Sequence, residues 1–296
     1  MTDRLVFAGP ASREFAKTLA QRLNLPILSV EVKEFSDTET KYRFEENVSG
    51  TSVLLVQSTY PPVDKNYMQI FLAAHHLSQE GAKVHAVIPY LGYARQDKQF
   101  LNGEVVSLGV VSHLLRTCGV VRVTTVDIHS AEGLALFAMP TYSVSAIPSL
   151  AQYVKKNLKL ISPVVVSPDF GSSKRTEAFA ALYGAQHMQF AKERDRTTGE
   201  VKVETGELQV EDRDVIIVDD MISTGGTIRA AAEKLRAARA RKIVVTCVHA
   251  LLLGEAYERL IDAGVDEIIG TNTVPSKVSK VDATEPLAAY LRTVSE

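Results

Sequence analysis

The feature that most constrains this chain is the alternation of short apolar, β-branched runs with segments of helical period. Leu5–Ala8, Val53–Gln57, Val84–Ile88, Val121–Val126, Val164–Ser167, Val215–Val218 and Ile243–His249 are predicted strands. They are nearly continuous in apolar residues, the pattern of parallel strands covered on both faces. Between them Tyr67, Ile70, Phe71, Ala74 and Leu77 recur at helical spacing, with Gly81 beyond as a stop, and Ile228, Ala231, Ala232 and Leu235 repeat the pattern. This grammar implies an α/β fold with mostly parallel sheets flanked by helices and joined by right-handed crossovers. At 296 residues the chain is long enough for two such units. The one composition shift that serves as a boundary, Met139 to Pro148, places the second half near Ile147.

Composition excludes several classes of partner. Lys and Arg number 33 against 35 Asp and Glu, a formal net charge of −2. A chain so balanced has no general attraction for nucleic acid or anionic membranes, so an anion site must be local. The longest near-apolar stretch, Ile243 to Leu253, is too short to span a bilayer. The first residues lack the apolar length of a signal peptide, and a cytoplasmic protein is expected. Two cysteines, Cys118 and Cys247, make neither a disulfide framework nor a zinc cluster. Both lie among apolar residues and read as buried structural thiols.

The chemistry concentrates at strand ends. In residues 215–227 a β run ends in Asp219 and Asp220, and Ser223, Thr224, Gly225, Gly226 and Thr227 lead into the Ile228 helix. Small residues and free N–H groups at a helix N-terminus suit a phosphate, and the paired acids suit sugar hydroxyls or hydrated Mg²⁺. A second such turn places Asp169 at a strand end, then Phe170, Gly171, Ser172 and Ser173, with Lys174 and Arg175 opening the next helix as a possible pyrophosphate site. A third acidic strand end is Asp127, with His129 two residues on, where a structural histidine competes with a metal ligand. Residues 89–98 follow another buried strand. There Arg95 and Lys98, among aromatic residues, suit a polyphosphate and a stacked base. Residues 191–207, crowded with charge, read as an exposed hairpin or mobile loop; Lys192 and Arg194 point the same way on an extended backbone. No P-loop and no GxGxxG is present.

Taken together, FSDTE at 35–39, EENVSG at 45–50, QSTYPPVDKN at 57–66, PYLGYARQDK at 89–98, VDIHS at 126–130, SPDFGSSKR at 167–175, KER at 192–194 and VDDMISTGGT at 218–227 resemble the ribose-phosphate pyrophosphokinases, or PRPP synthetases. The resemblance implies two phosphoribosyltransferase-like domains: 1–145 on the ATP side and 146–283 binding ribose 5-phosphate and PRPP, with the helix over 284–296 packing on the first. It implies transfer of the β,γ-pyrophosphoryl group of ATP to the 1-hydroxyl of ribose 5-phosphate, with Mg²⁺, in a homo-oligomer. Carried over by position, ATP would be bound by Phe35, Asp37, Thr38, Glu39, Arg95, Gln96, Asp97, Lys98 and His129, the 35–39 segment reaching the adenine from a neighbouring subunit. Ribose 5-phosphate would be held by Arg194, Asp219, Asp220 and Ser223 to Thr227. Residues Asp169 to Ser173 would form the pyrophosphate loop, His129 and Asp169 would bind the metal, and Lys192 and Arg194 would be catalytic.

The chain departs from the family pattern in places. Ser172 and Thr38 stand where the family usually has glycine, and Ser49 where many members carry arginine. The stretch after Lys98 resembles archaeal-type members more than bacterial or animal ones. Two other readings compete: a phosphoribosyltransferase, which 218–227 alone would fit, and a non-catalytic regulatory subunit of the same fold.

Overall fold

Five near-continuous apolar runs form a single parallel sheet in the first part of the molecule. The protein, seen in a computed structural model, is described over residues 4–168, 173–189, 191–194, 201–204 and 209–294, with backbone alone for 189, 191–194 and 201–204. It divides into one unit of Met1–Ser145 with Ala283–Glu296 and a second of Ala146–Asp282.

The first unit runs β1 (Arg4–Ala8), α1 (Arg13–Leu23), β2 (Val30–Glu34), β3 (Thr40–Phe44), β4 (Ser52–Val56), α2 (Val63–Gln79), β5 (Lys83–Ile88), α3 (Ser107–Thr117), β6 (Val120–Val126) and β7 (Thr141–Val144). The sheet order is β1-β4-β5-β6-β7, every neighbour parallel, so all its carboxyl ends lie along one edge. One face packs Phe7, Val53, Leu55, Ala86 and Ile88 against Tyr67, Ile70, Ala74 and Leu77 of α2 and Leu108, Val111 and Leu115 of α3. α1 ends on Asn24, whose left-handed backbone (φ 55°) returns its N–H to the carbonyls of Ala20 and Gln21. β2 and β3 form an antiparallel hairpin, from Val30 opposite Phe44 to Glu34 opposite Thr40. Its alternate side chains Tyr42 and Phe44 pack their rings 5.6 Å from that of Phe7. Phe44 also stacks on His76 of α2, which stays exposed.

The second unit runs α4 (Ile147–Asn157), β8 (Val164–Ser167), α5 (Ser173–Tyr183), β9 (Gln186–Gln189), β10 (Ala191–Arg194), β11 (Val201–Glu204), β12 (Asp214–Ile222), α6 (Gly226–Ala237), β13 (Lys242–Ala250), α7 (Ala256–Asp262), β14 (Glu267–Thr271) and β15 (Ser279–Val281). Six strands form a parallel sheet in the order β15-β14-β13-β12-β8-β9. Val215, Ile217, Ile243 and Val245 pack against Ile228, Ala231, Ala232 and Leu235 of α6 and Leu260 of α7. β12 is longer than its apolar run, because pairing with β13 continues from Asp214 opposite Lys242 to Ile222 opposite Ala250. Asp219 and Asp220 therefore sit within the strand rather than just beyond it. Asp214, fully buried, accepts from the Ile161 N–H at 2.6 Å and pairs with Arg241. β10 and β11 pair as a separate antiparallel hairpin.

The last helix, α8 (Thr284–Thr293), belongs to the first unit. Leu287, Ala288 and Leu291 are its buried stripe, Arg22 of α1 donates to Thr284 Oγ1 at 2.9 Å, and Tyr290 stacks on Tyr142 with ring centroids 4.2 Å apart. Cys247 is buried, as its apolar setting implied, and its thiol is pushed well above its usual range by burial and by the nearby Asp219 and Asp220. Cys118 is only half-buried.

Candidate active site

The loop joining β12 to α6 holds the sharpest group. Gly225 is the N-cap of α6 with φ 78°, a left-handed backbone that glycine tolerates; a Cβ there would also meet the Leu260 side chain at 3.3 Å. No side chain caps the helix, which leaves its first N–H groups for an anion. Gly226 and Thr227 are exposed, and a Cβ on Gly226 would find nothing within 4 Å among the described residues. The backbone at Gly226 is thus open to a ligand. The chain after β13 braces this loop, the N–H groups of Leu252 and Leu253 donating to the carbonyls of Ile222 and Ser223 at 2.9 and 3.0 Å.

Asp219 and Asp220 are both buried. Asp219 Oδ1 accepts from the Asp220 N–H at 2.9 Å, and Arg175 of α5 lies 3.6 Å from Asp220 Oδ1. Sequence reading grouped Arg175 with Lys174 as anion-binding cations. The structure places its guanidinium against a buried carboxylate, whose charge it offsets. Only the fold, which sets α5 against β12, could reveal that pairing.

Asp169, Phe170, Gly171 and Ser172 lie outside the described residues; Ser173 is the first residue of α5. For Lys192 and Arg194 the backbone is described: both fall on β10, opposite Val203 and Val201, at positions that share one side of the strand.

In the first unit the candidates gather around three segments. The 35–39 turn closes the β2–β3 hairpin, with the Phe35 N–H donating to the Glu39 carbonyl and the Thr38 N–H to the Phe35 carbonyl, each at 2.9 Å. Asp37 Oδ1 accepts from the Glu39 N–H at 3.2 Å, and Phe35 is exposed. Thr38 adopts φ 76°, the conformation for which the family's usual glycine is suited. After β5, Arg95, Gln96 and Lys98 are exposed and Asp97 is half-buried. Gln96 is fixed by the Ser107 hydroxyl, which donates to its Oε1 at 2.7 Å, and by the Leu108 N–H, which donates to its carbonyl at 3.3 Å. Of the two aromatic residues in 89–98, Tyr90 is buried, whereas Tyr93 is exposed. After β6, His129 is exposed, while Asp127 is buried and accepts from the Ser145 hydroxyl at 2.9 Å. The described residues hold no group of three or more His, Cys, Asp or Glu able to cage a metal.

Residues 4–119 match the N-terminal domain of ribose phosphate pyrophosphokinase, and residues 203–288 match the phosphoribosyl synthetase-associated domain. The ribose-phosphate pyrophosphokinase of Sulfurisphaera tokodaii is 36% identical over 292 residues, spanning 98% of this chain and 100% of its own. The chain belongs to the ribose-phosphate pyrophosphokinase family. The member from Haemophilus ducreyi is 35% identical across 100% of this chain and 96% of its own. The crystal structure of phosphoribosylpyrophosphate synthetase from Mycobacterium smegmatis matches with a TM-score of 0.87 and 29% identity, covering 98% of each chain. Because these pyrophosphokinases match end to end, the phosphoribosyltransferase reading, which residues 218–227 alone would fit, falls away. Among the described residues no helix is long and apolar enough to cross a membrane.

Proposed function

We propose that this chain transfers the β,γ-pyrophosphoryl group of ATP to the 1-hydroxyl of D-ribose 5-phosphate, giving PRPP and AMP. The observation that carries the reading is full-length membership of the family combined with an uncapped helix N-terminus at Gly225–Thr227. In this reading residues 1–145 form the ATP-side domain and 146–283 the ribose 5-phosphate domain. The enzyme works in the cytoplasm as a homo-oligomer that feeds nucleotide biosynthesis.

Ser223 to Thr227 cradle the 5-phosphate with backbone N–H groups and hydroxyls, and Asp219, Asp220 and Arg194 complete the sugar-phosphate site. Asp169 to Ser173 hold the pyrophosphate. Arg95, Gln96, Asp97, Lys98 and His129 grip ATP, and Phe35, Asp37, Thr38 and Glu39 reach the adenine of a neighbouring copy. In this reading Mg²⁺, which needs only one or two protein ligands when substrate phosphates supply the rest, would be held by His129 and Asp169. When bound it withdraws charge from the phosphate oxygens.

Transfer of this kind requires in-line positioning and neutralised oxygens more than a covalent nucleophile. The Gly225–Thr227 site fixes the sugar, and the Arg95–Lys98 loop fixes the donor. Lys192 and Arg194, on one side of β10, bring two cations to the group in transit.

The test is purified protein with ATP, Mg²⁺ and ribose 5-phosphate, followed by ³¹P NMR. AMP and PRPP in equal amounts are expected. ADP would mean a single-phosphoryl kinase and overturn the mechanism, and intact ATP in a folded sample would favour the regulatory-subunit reading. Lys192→Ala should leave nucleotide affinity nearly unchanged while kcat falls by roughly 10²- to 10³-fold, as for other lost transition-state charge donors. Near-normal turnover in that variant would remove Lys192 from catalysis.

A further inference from the structure

The segment QSTYPPVDKN, residues 57–66, resembles the family yet has no role in the site as described. Five polar side chains in and just beyond it are nonetheless deeply buried: Gln57 and Ser58 are 1% exposed, Thr59 0%, Asn66 4%, and Gln69, one turn further on, 4%. Burying so many amides and hydroxyls is costly unless each is bonded, and here they are.

The bonds run in two directions. Towards the loop after β5, the Thr59 hydroxyl donates to the Tyr90 carbonyl at 2.8 Å and accepts from the Gly92 N–H at 2.7 Å. Ser58 Oγ accepts from the Tyr90 N–H at 2.9 Å, and the Tyr67 hydroxyl donates to the Gly92 carbonyl at 2.7 Å. Gly92 is thereby held at both its N–H and its C=O. A Cβ there would lie 2.9 Å from Val63 and 3.2 Å from the Thr59 carbonyl, so any larger residue would crowd the clamp. The next residue, Tyr93, donates its hydroxyl to Asp64. Arg95 begins two residues later.

Towards the hairpin, Gln57 Nε2 donates to Gln69 Oε1 at 2.8 Å, and Gln69 Nε2 donates to Thr40 Oγ1 at 3.1 Å. Lys65 adds an ion pair at 2.6 Å to Glu34, which faces Thr40 across the hairpin. These two residues are the feet of the 35–39 turn. At the centre, Gln57 Oε1 accepts from the Ala11 N–H at 3.0 Å, and Asn66 Nδ2 donates to the Tyr60 carbonyl at 2.6 Å.

We propose that the buried polar residues among 57–69 are a positioning frame that sets the 35–39 turn and the 95–98 loop at fixed places on one scaffold, with Thr59 and Gln69 as its positioning residues. Neither residue touches nucleotide. Thr59 acts through Tyr90 and Gly92, and Gln69 acts through Thr40. The proposal rests on the reading that both segments serve ATP.

The experiment compares Thr59→Val, Thr59→Ser and Gln69→Met with the wild type. It measures kcat, the two KM values, and the Kd for the α,β-methylene analogue of ATP, whose bridge blocks this transfer, by calorimetry. Thr59→Val is expected to raise the KM for ATP and the analogue Kd roughly tenfold, the scale of a lost buried hydrogen bond. The KM for ribose 5-phosphate should stay within about twofold, since its site lies in the other unit, and Thr59→Ser should restore ATP affinity because the hydroxyl is kept. Unchanged ATP affinity in folded Thr59→Val, equal rises in both KM values, or failure of Thr59→Ser to rescue would each overturn the frame. Should Thr59→Val not fold, Gln69→Met reads the hairpin arm with the same criteria. A wild type that makes no PRPP would refute the function instead, and the analogue Kd series would still decide the frame.

Discussion

Gly225 and Thr38 share a left-handed backbone and differ in what that costs. At Gly225 any side chain meets both the unfavourable φ and the Leu260 contact at 3.3 Å. Gly225→Ala should therefore cost about 1–2 kcal/mol in urea melts and raise the KM for ribose 5-phosphate by disturbing the loop. At Thr38 the threonine already bears the strain, with φ 76°. Thr38→Gly relieves a penalty of about 1 kcal/mol and returns part of it as unfolded-state entropy, so the melting temperature should hold or rise slightly. A fall of several degrees would show that the Thr38 side chain anchors the turn. Both positions were visible in the sequence, Gly225 through its place before a helix and Thr38 through its departure from a common glycine. The burial of Asp220 against Arg175 was not, because residues 45 apart in sequence meet only through sheet packing.

Among elements, the parallel core strands were the most legible, since burial on both faces leaves continuous apolar runs such as Ser52–Val56 and Val84–Ile88. The β2–β3 hairpin was missed because only one of its faces is covered. Val30, Val32, Tyr42 and Phe44 alternate with charged residues, and a search for unbroken runs passes over them. The end of β12 was misplaced for a different reason: acids are poor strand formers, but the ladder to β13 overrides that preference through Ile222. The same strand carries a testable anchor at its start. Arg241→Met strips the partner from the fully buried Asp214 while leaving the Ile161 N–H. Because Arg241 is itself partly exposed, the expected loss is on the order of 2 kcal/mol rather than the larger values of deeply buried pairs. Chemical denaturation of the variant would measure it, and Asp214→Asn in the same background should recover part of the loss.

Across the whole molecule, burial lifts the Cys118 and Cys247 thiols and the Tyr42, Tyr60, Tyr67 and Tyr183 hydroxyls, and the bond to Asp64 lifts Tyr93. Their ordinary values are 9.0 for the thiols and 10.0 for the tyrosines. As pH rises past these values the unfolded chain releases protons that the folded chain keeps, so stability falls. The contribution is whole below about pH 8 and declines as pH climbs towards the raised folded values. Melting followed by circular dichroism should be flat from about pH 7 to 8 and drop from about pH 9 upward. Cys247→Ala, though less stable throughout, should show a shallower decline between about pH 9 and 10, where its thiol titrates in the unfolded chain.

The fold assigns the two ends of the chain to one unit, with α8 docked beside α1 and the whole of 146–282 intervening. This order has a consequence for synthesis. A chain emerging from the ribosome exposes the α1 surface long before Leu287, Ala288 and Leu291 exist to cover it. The second unit has all its strands in hand by Val281 and can close while the first still lacks its final helix. Termination before Leu287 would leave the second unit with all its strands and the first with an open seam on α1. Stops placed between Val281 and Leu287 should therefore yield chains that chaperones retain, rather than enzymes that are merely shorter.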